Sequence, residues 1–315
     1  MSGTPLTPAA TVAAFAKPAL GFSAIGLLLI AFRRESGRAA LSGWLLLASY
    51  WGVELLGYLR AEQRFDAAVA LTVLLFCVLL AGHAAAVTAD AADAAADSGG
   101  ERRRFMTLMA RVGFICGVCY LPFSEIKPLG ELLIYATAAL TAAAINFLHG
   151  VGLLSLSVRA EFPAFIHAEN AAALPPVEII LACTAIQSIV IFTGIIFGVE
   201  APLDRKIKAF LVSVPVIFVL NVFRNVFVTA AYFEAWFGGD NFESFYIAHH
   251  VVARVFVLGS LVAIAYAVFA TLPETVDLVE KLLTLILGGV KPAPSRTRST
   301  GDPAAPSDKN LNKKC

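Results

Sequence analysis

Three residues of types that membrane segments rarely keep lie in three consecutive apolar stretches of the chain. They are Cys183, Arg224 and Arg254, and each lies several residues inside its stretch. If the stretches form helices of alternating direction, a rise of about 1.5 Å per residue places the three side chains roughly 8–12 Å below one membrane surface. A charge within a bilayer costs about 2.5–3.5 kcal/mol even on the lenient insertion scale. Two arginines at the depth of a thiol therefore indicate a shared polar site.

The composition of the chain predicts that these stretches are membrane helices. Of the 315 residues, 58% are hydrophobic and only 15% are charged, whereas soluble domains average about 25% charged residues. Several apolar runs reach the ~20 residues that cross about 30 Å of hydrocarbon. The sequence therefore predicts an all-α polytopic membrane protein. The seven expected spans are residues 12–32, 41–59, 66–89, 105–123, 176–198, 210–232 and 249–272.

Basic residues in the connecting segments predict how the spans are oriented. Seven spans put four basic groups on one side, which is cytoplasmic by the positive-inside rule, so the N-terminus is outside and the C-terminus inside. The almost uncharged stretch 132–158 complicates this count, because a full crossing there would move the cluster at 205–208 to the other side. We therefore expect a re-entrant or interfacial helix there, although an eighth span stays open. The four basic groups are Arg33, Arg34 and Arg38; Arg102–Arg104; Arg205, Lys206 and Lys208; and the lysines and arginines after 290.

The remaining segments divide the chain into three parts. Residues 1–104 hold N-terminal transmembrane helices and a cytoplasmic loop, and residues 105–272 hold the membrane-embedded candidate catalytic core. Residues 273–315 are expected to form a cytoplasmic, largely disordered tail, because too few of its residues are apolar. Within these parts, residues 159–170 are interpreted as a short outward hairpin and residues 90–100 as a flexible acidic loop.

The residue types at the candidate site fit nucleophilic chemistry. Nearby guanidinium groups favour the thiolate form of Cys183, and the thiolate is the nucleophile. An arginine can also hold a developing oxyanion or a substrate carboxylate. His250, with His249 beside it, could transfer protons near neutral pH. Further polar residues that could support the site lie close in sequence: Gln187, one turn beyond Cys183, and Asn221 and Asn225, which flank Arg224.

Other interpretations of the same residues stay open at this point. A lone membrane cysteine is most often a packing residue, each arginine alone could reach the interface, and polar side chains could simply join helices. Glu54, with Arg224 and Arg254, could instead line the path of a transporter or channel. Cys116 and Cys119 form a C-x-x-C pair, which could indicate a thiol oxidoreductase. On a continuous helix they lie one turn apart, with no loop or cap to activate either thiol. Seven spans would also fit a seven-helix receptor or a retinal protein. A retinal protein needs a Schiff-base lysine in its last helix, and the seventh span has none.

The sequence offers little support for cofactor or nucleic-acid chemistry. It has no metal-spaced His and Cys cluster, no phosphate-binding glycine loop and no nucleic-acid patch. We therefore expect no metal, no organic cofactor and no nucleic-acid partner. Its five cysteines do not form a disulfide framework, since four lie within apolar runs.

The sequence segments around the candidate site resemble those of a known family. The segments EIILACTAIQSIVIF (178–192), LNVFRNVFVTAAYF (220–233) and FYIAHHVVARVFV (245–257) resemble the three motifs of the archaeosortase/exosortase family. The resemblance covers residues 105–272, about half of the chain. The three motifs are specific because they occur in order and at helix-sized intervals.

This resemblance implies a membrane-embedded cysteine protease/transpeptidase. Such enzymes cleave a C-terminal sorting signal of secreted surface proteins, which consists of a short motif (Pro-Gly-Phe for archaeosortases of this kind), a transmembrane helix and a basic cluster, and they promote transfer of the new C-terminus to a membrane lipid. The family nucleophile corresponds to Cys183 and its first arginine to Arg224. The third position is His in many members and Arg in others, and it corresponds best to Arg254. The resemblance implies a plasma-membrane protein whose active site faces outside.

Overall fold

A computed structural model describes residues 8–90, 98–171 and 173–287 of the chain. The part described is predominantly helical, as predicted. Seven of its helical segments are long and apolar enough to cross a membrane, so the protein is a multi-pass membrane protein. The helices are α1 (Pro8–Arg34), α2 (Gly37–Arg60), α3 (Arg64–Asp90), α4 (Ser98–Glu125), α5 (Lys127–Gly150), α6 (Ile186–Gly198), α7 (Leu203–Phe233), α8 (Asn241–Tyr246), α9 (Ala253–Thr271) and α10 (Glu274–Leu287).

Helices α1 to α4 form a bundle with an apolar core. Leu28, Trp44, Leu80 and Met109 come from the four helices in turn and are buried together. The α1–α2 turn is fixed by Ser36, whose hydroxyl caps α2 by accepting a hydrogen bond from the Ala39 amide. Burial of this apolar core, which is shared with α6 and α10, stabilises the bundle on which the rest of the molecule is built.

The basic clusters gather at one end of the bundle, which we call the arginine end. The α1–α2 turn and the start of α4 lie there. Two ion pairs bring the start of α7 and helix α10 to the same end: Arg205 with Glu274, and Lys281 with Glu101 at 3.1 Å. The opposite end, which we call the sheet end, carries the end of α4 and the end of α7.

Helix α5 overlaps the stretch 132–158, which was predicted to be re-entrant or interfacial, and both of its ends contact elements of the sheet end. Its first turn packs on the end of α4, where a side chain at Gly130 would lie 2.6 Å from the Phe123 carbonyl oxygen. Just after α5, the amide and hydroxyl of Ser155 donate to Glu234 at the end of α7, at 2.9 and 2.6 Å. By length and composition α5 is one of the seven helices that could cross a membrane.

The predicted hairpin is present. Strand β1 (Val158–Glu161) pairs antiparallel with β2 (Phe165–Ala168), and β2 pairs with the short strand β3 (Val177–Glu178). Asn146 of α5 exchanges two hydrogen bonds with the Val158 backbone, at 2.8 and 2.9 Å, which docks the sheet on the helix.

Burial raises the pKa of Glu234, at the end of α7, but hydrogen bonds from Ser155 and Trp236 outweigh this effect and hold the pKa below its usual range.

The predicted fifth span, 176–198, is wrong as a continuous helix. It consists of β3, a 3₁₀ turn at Leu181–Thr184, and α6, which has only 13 residues. The break follows from its surroundings, since Val177, Ile179 and Cys183 are buried against α5 and α7 rather than exposed to lipid. Protein contacts allow non-helical backbone at membrane depth, where lipid would not.

The prediction of a disordered tail from 273 onward is wrong for its first part. Helix α10 occupies Glu274–Leu287 and packs Leu278, Leu282 and Leu285 on the bundle. The rest of the predicted tail, 288–315, and most of the predicted acidic loop, 91–97, lie outside the described residues.

Helix α6 packs against α4 through two glycines. A Cβ atom at Gly194 would lie 2.3 Å from the Cys116 sulfur, and one at Gly198 would lie 2.4 Å from a Val112 methyl. Small residues let membrane helices approach this closely. The close approach fixes the height of α6, and so of the turn that precedes it.

We expect Gly194→Ala to lower the free energy of unfolding by about 1–3 kcal/mol, because the methyl group would overlap Cys116. Adding Cys116→Ala should restore part of this loss. Gly82→Ala is the control, since its methyl group would meet no neighbour. Thermal unfolding in detergent measures all four proteins; an equal effect of Gly194→Ala and Gly82→Ala would contradict the packing.

Candidate active site

Cys183 lies on the 3₁₀ turn that precedes α6, not within a long helix as predicted. Its amide donates to the Ile180 carbonyl at 2.8 Å, and its side chain is only 9% exposed. Ala185 ends the turn in the left-handed conformation, with φ of 61°. This conformation costs a residue other than glycine about 1–2 kcal/mol, so neighbouring contacts must hold the turn in place.

Two asparagines of α7 provide those contacts. The side-chain amides of Asn221 and Asn225 both donate to the Cys183 carbonyl oxygen, at 2.7 and 2.9 Å. The two residues are four apart and so lie on one face of α7. A carbonyl in a turn has no helical partner, and leaving it unpaired at a buried position would cost free energy. The pair therefore fixes both the place and the orientation of the turn.

Arg224 orients one of these asparagines. Its Nη1 donates to Asn225 Oδ1 at 2.9 Å, while the Asn225 amide nitrogen donates to Cys183. Arginine carries donors only, so this contact sets which side of the Asn225 amide faces the cysteine. The guanidinium, the amide and the cysteine backbone thus form one chain of hydrogen bonds, which joins Arg224 to the Cys183 carbonyl.

His249, rather than His250, is the histidine at Arg224. The second guanidinium nitrogen, Nη2, lies 2.9 Å from His249 Nε2. Because arginine can only donate, Nε2 accepts, and the ring proton of neutral His249 is on Nδ1. That Nδ1 is buried and has no hydrogen-bond partner among the described residues. The ring stacks on Phe245 with centroids 5.1 Å apart, which leaves one oriented and unused donor at the site.

Arg254 and His250 form a second pair, on the more exposed side of the helix. Arg254 Nη2 lies 3.0 Å from His250 Nδ1. The guanidinium carbon also lies 4.6 Å from the centre of the Phe65 ring of α3, a cation–π contact. The contacts of Arg254 are therefore with His250 and Phe65, and its predicted grouping with Cys183 is not formed by direct contact.

A π-helical turn at Ile247–Val252, between α8 and α9, holds both histidines. Such turns are uncommon and occur frequently at functional sites. The extra residue per turn changes which side chains face α7. A sequence reading that assumes a regular helix cannot tell which of His249 and His250 faces Arg224.

Gln187, predicted to support the site, lies in the first turn of α6, and its side chain lies close to Tyr120 of α4. The Tyr120 ring in turn stacks on Trp51 of α2, with centroids 6.5 Å apart. Gln187 thus faces the N-terminal bundle beside the Cys183 turn.

Glu54 belongs to an ion cluster that the sequence did not reveal. Lys17 of α1 forms ion pairs with Glu54 of α2 and, at 3.0 Å, with Glu125 of α4. The Tyr50 hydroxyl donates to Glu125 as well. Neither Arg224 nor Arg254 contacts this cluster in the described part of the chain, so the structure does not join the three residues that a transport path would need. The sequence contains one signal for this cluster. Lys17 and Glu54 each lie in an apolar segment, and the predicted topology places both near the same end.

Comparison with known proteins decides the family. A model of the transmembrane exosortase family matches residues 13–267, which is most of the chain.

The chain belongs to the transmembrane exosortase family. It is 31% identical over 230 residues to archaeosortase A of Natronomonas pharaonis, which covers 64% of this chain and 70% of that protein. It is 27% identical over 210 residues to archaeosortase A of Haloferax volcanii, which covers 59% of this chain and 69% of that protein. No solved structure matches. The resemblance seen in the three motifs is thereby confirmed for this exosortase.

The ion cluster gives a stability prediction. We expect Lys17→Met to lower the free energy of unfolding by about 3 kcal/mol, because Glu54 and Glu125 would lose their shared cation at a mostly buried position. Adding Glu54→Gln should recover part of the loss. Lys127→Met is the matched control at the same end, since Lys127 is 84% exposed and its pair with Glu131 should contribute less than about 1 kcal/mol. Equal melting temperatures for the two single variants would contradict the cluster's role.

Proposed function

We propose that this exosortase is an intramembrane cysteine protease/transpeptidase that acts on C-terminal sorting signals of surface proteins. Family membership supports a role in processing sorting signals in general. The observation that carries the finer proposal is the hydrogen-bond chain from Arg224 through Asn225 to Cys183. It fixes the turn that carries the thiol relative to the guanidinium, and Cys183 is buried in the core between α5 and α7.

The first step is attack of the Cys183 thiolate on the scissile carbonyl carbon. A bond forms between the sulfur and that carbon, and the carbonyl oxygen becomes an oxyanion. We assign this oxyanion to two donors of the hydrogen-bonded group: the guanidinium of Arg224, which contacts Asn225, and the Nδ1–H of His249, which has no partner among the described residues. Donors already aimed at a developing negative charge are the largest single contribution in many acyl transfers.

The second step breaks the scissile C–N bond. The leaving amine takes the proton that the Cys183 thiol lost on forming the thiolate, and the acyl group stays on Cys183 as a thioester. A lipid amine is the proposed acceptor: its nitrogen attacks the thioester carbon, the C–S bond breaks, and the proton lost by the amine returns to the departing sulfur. The protein is then joined to the lipid by an amide bond. The cleaved motif is proposed to be of the Pro-Gly-Phe type.

The depth of the site suits a substrate and an acceptor that both lie in the membrane. Asn221 lies about 27 Å along α7 from its start at the arginine end, at about 1.5 Å per residue. A hydrocarbon layer of about 30 Å therefore ends close to the Cys183 turn. By the positive-inside rule the arginine end is cytoplasmic and the site faces outside. There, the transmembrane helix of a sorting signal and a lipid headgroup can both arrive sideways.

We expect Cys183→Ala to abolish cleavage of a peptide that carries a Pro-Gly-Phe motif and a transmembrane helix, because the variant lacks the sulfur on which the proposed thioester forms. Cys119→Ala is the control, since Cys119 lies on α4 and has no part in the mechanism. Mass spectrometry of the products measures cleavage, and melting temperature shows that each variant is folded. Cleavage by Cys183→Ala at the wild-type rate would reject the mechanism.

The two arginines should respond unequally to replacement by lysine. Arg224→Lys should lower kcat by roughly 10²–10³, the usual effect of losing one oxyanion donor, because a lysine cannot contact Asn225 and His249 at once. Arg254→Lys should lower it less, since Arg254 contacts His250 and Phe65 instead. A larger loss for Arg254→Lys than for Arg224→Lys would show that the grouping of residues is wrong.

A further inference from the structure

A cavity of about 350 Å³ opens at the arginine end, far from the candidate active site. It forms where the α1–α2 turn meets the last turns of α3 and the first turns of α4. Pockets for small ligands are typically about 300–1,000 Å³, so this one has room for a polar headgroup. Its lining is Glu35, Ser36, Gly37, Arg38, Val87, Thr88 and Arg103.

Among the described residues, the basic side chains that line the cavity outnumber the acidic ones. Arg38 and Arg103 line its mouth, and within the described part of the chain neither forms a hydrogen bond or an ion pair. Glu35 is the one acidic residue in the lining. The nearby Glu101, in the first turn of α4, is paired with Lys281.

The start of α2 adds positive potential to the same place. Gly37 begins the helix, its first turn contains no acidic residue, and Arg38 lies in that turn. The amino end of a helix carries a partial positive charge, so an arginine there is unfavourable unless an anion lies close to it. Two guanidiniums that have no partner in the described part of the chain, together with a helix start, therefore favour an anionic ligand in this cavity.

The inner wall of the cavity is apolar. A narrower space continues inward from the same residues and is lined by Ala31, Ala40, Met106 and Ala110 of three helices. This inner space is only about 10 Å³, too small for an acyl chain, so a ligand of the cavity would place only its polar headgroup there. Basic pockets between membrane helices on the cytoplasmic side are known to hold anionic lipid headgroups.

We propose that this cavity binds the phosphate of an anionic membrane lipid, with Arg38 and Arg103 donating to the phosphate oxygens. Arginine suits this task because its planar fork can donate two hydrogen bonds to one phosphate. The lipid joins the α1–α2 turn to α3 and α4, so its binding stabilises the N-terminal bundle. This site is independent of the proposed reaction, and its test does not require enzymatic activity.

The test uses the full chain in detergent and native mass spectrometry, with dioleoylphosphatidylglycerol as the probe. We expect Arg38→Gln/Arg103→Gln to weaken binding of one lipid molecule at least tenfold, because both charged donors to the phosphate are lost. Arg33→Gln/Arg34→Gln is the matched control: it removes the same charge at the same end, outside the cavity. Dioleoylglycerol, which lacks the phosphate, should not bind at the site.

Thermal unfolding provides a second measurement of lipid binding. Phosphatidylglycerol should raise the melting temperature of the wild type and of the control variant but not that of Arg38→Gln/Arg103→Gln, since a ligand stabilises only the state that binds it. An equal loss of binding in both double variants, or equal binding of dioleoylglycerol, would overturn the proposal. Inorganic phosphate that binds as tightly as the lipid would overturn the lipid assignment and leave a site for free phosphate.

Discussion

The whole candidate site depends on how one backbone carbonyl is bound. The Cys183 carbonyl lies on a turn that no regular helix stabilises, and the side chains of Asn221 and Asn225 supply its partners. Arg224 is joined to the same group through Asn225. Because these contacts come from one helix face, they tie the position of the proposed nucleophile to that of the charge proposed to stabilise its reaction. A change in either asparagine would therefore move the thiol relative to the guanidinium.

The rest of the fold can be understood as support for this turn. The sheet and α5 cover it on one side, where Val177, Ile179 and Val226 are buried together. Close packing of α6 on α4 sets its height, through Gly194 and Gly198. The N-terminal bundle contributes the surface against which α6 packs. Beside the site, Gln187 of α6 lies close to Tyr120 of α4. A reactive group thus sits on irregular backbone that protein, not lipid, surrounds.

The sequence predicted those features that depend on composition and spacing, and it missed those that depend on which neighbour buries a segment. Hydropathy correctly indicated a polytopic helical protein, and polar residues at 159–170 indicated the hairpin. The same hydropathy made 176–198 look like a span, because an apolar segment buried in protein and one exposed to lipid have the same composition. Spacing grouped Cys183 with Arg224, and the four-residue interval between Asn221 and Asn225 contained the signal that both face one partner.

The third motif could not be resolved from sequence for a geometric reason. Assigning His249, His250 and Arg254 to faces requires a helical period, and the π-helical turn changes that period where these residues lie. The ion cluster around Lys17 was missed for a related reason, since pairing across α1, α2 and α4 depends on the packing of three helices. In both cases the local sequence does not determine which of several similar side chains makes the tertiary contact.

The central claim is that Cys183 carries the acyl group during the reaction. Its most direct test is to mix the purified protein with a peptide bearing the sorting motif, quench in acid, and locate covalent adducts by mass spectrometry of proteolytic fragments. The account predicts a hydroxylamine-sensitive thioester on the fragment containing Cys183, with the mass of the peptide segment before the cleavage site. Product formation accompanied by an adduct on another residue, or by none on Cys183 under conditions that trap thioesters, would contradict it.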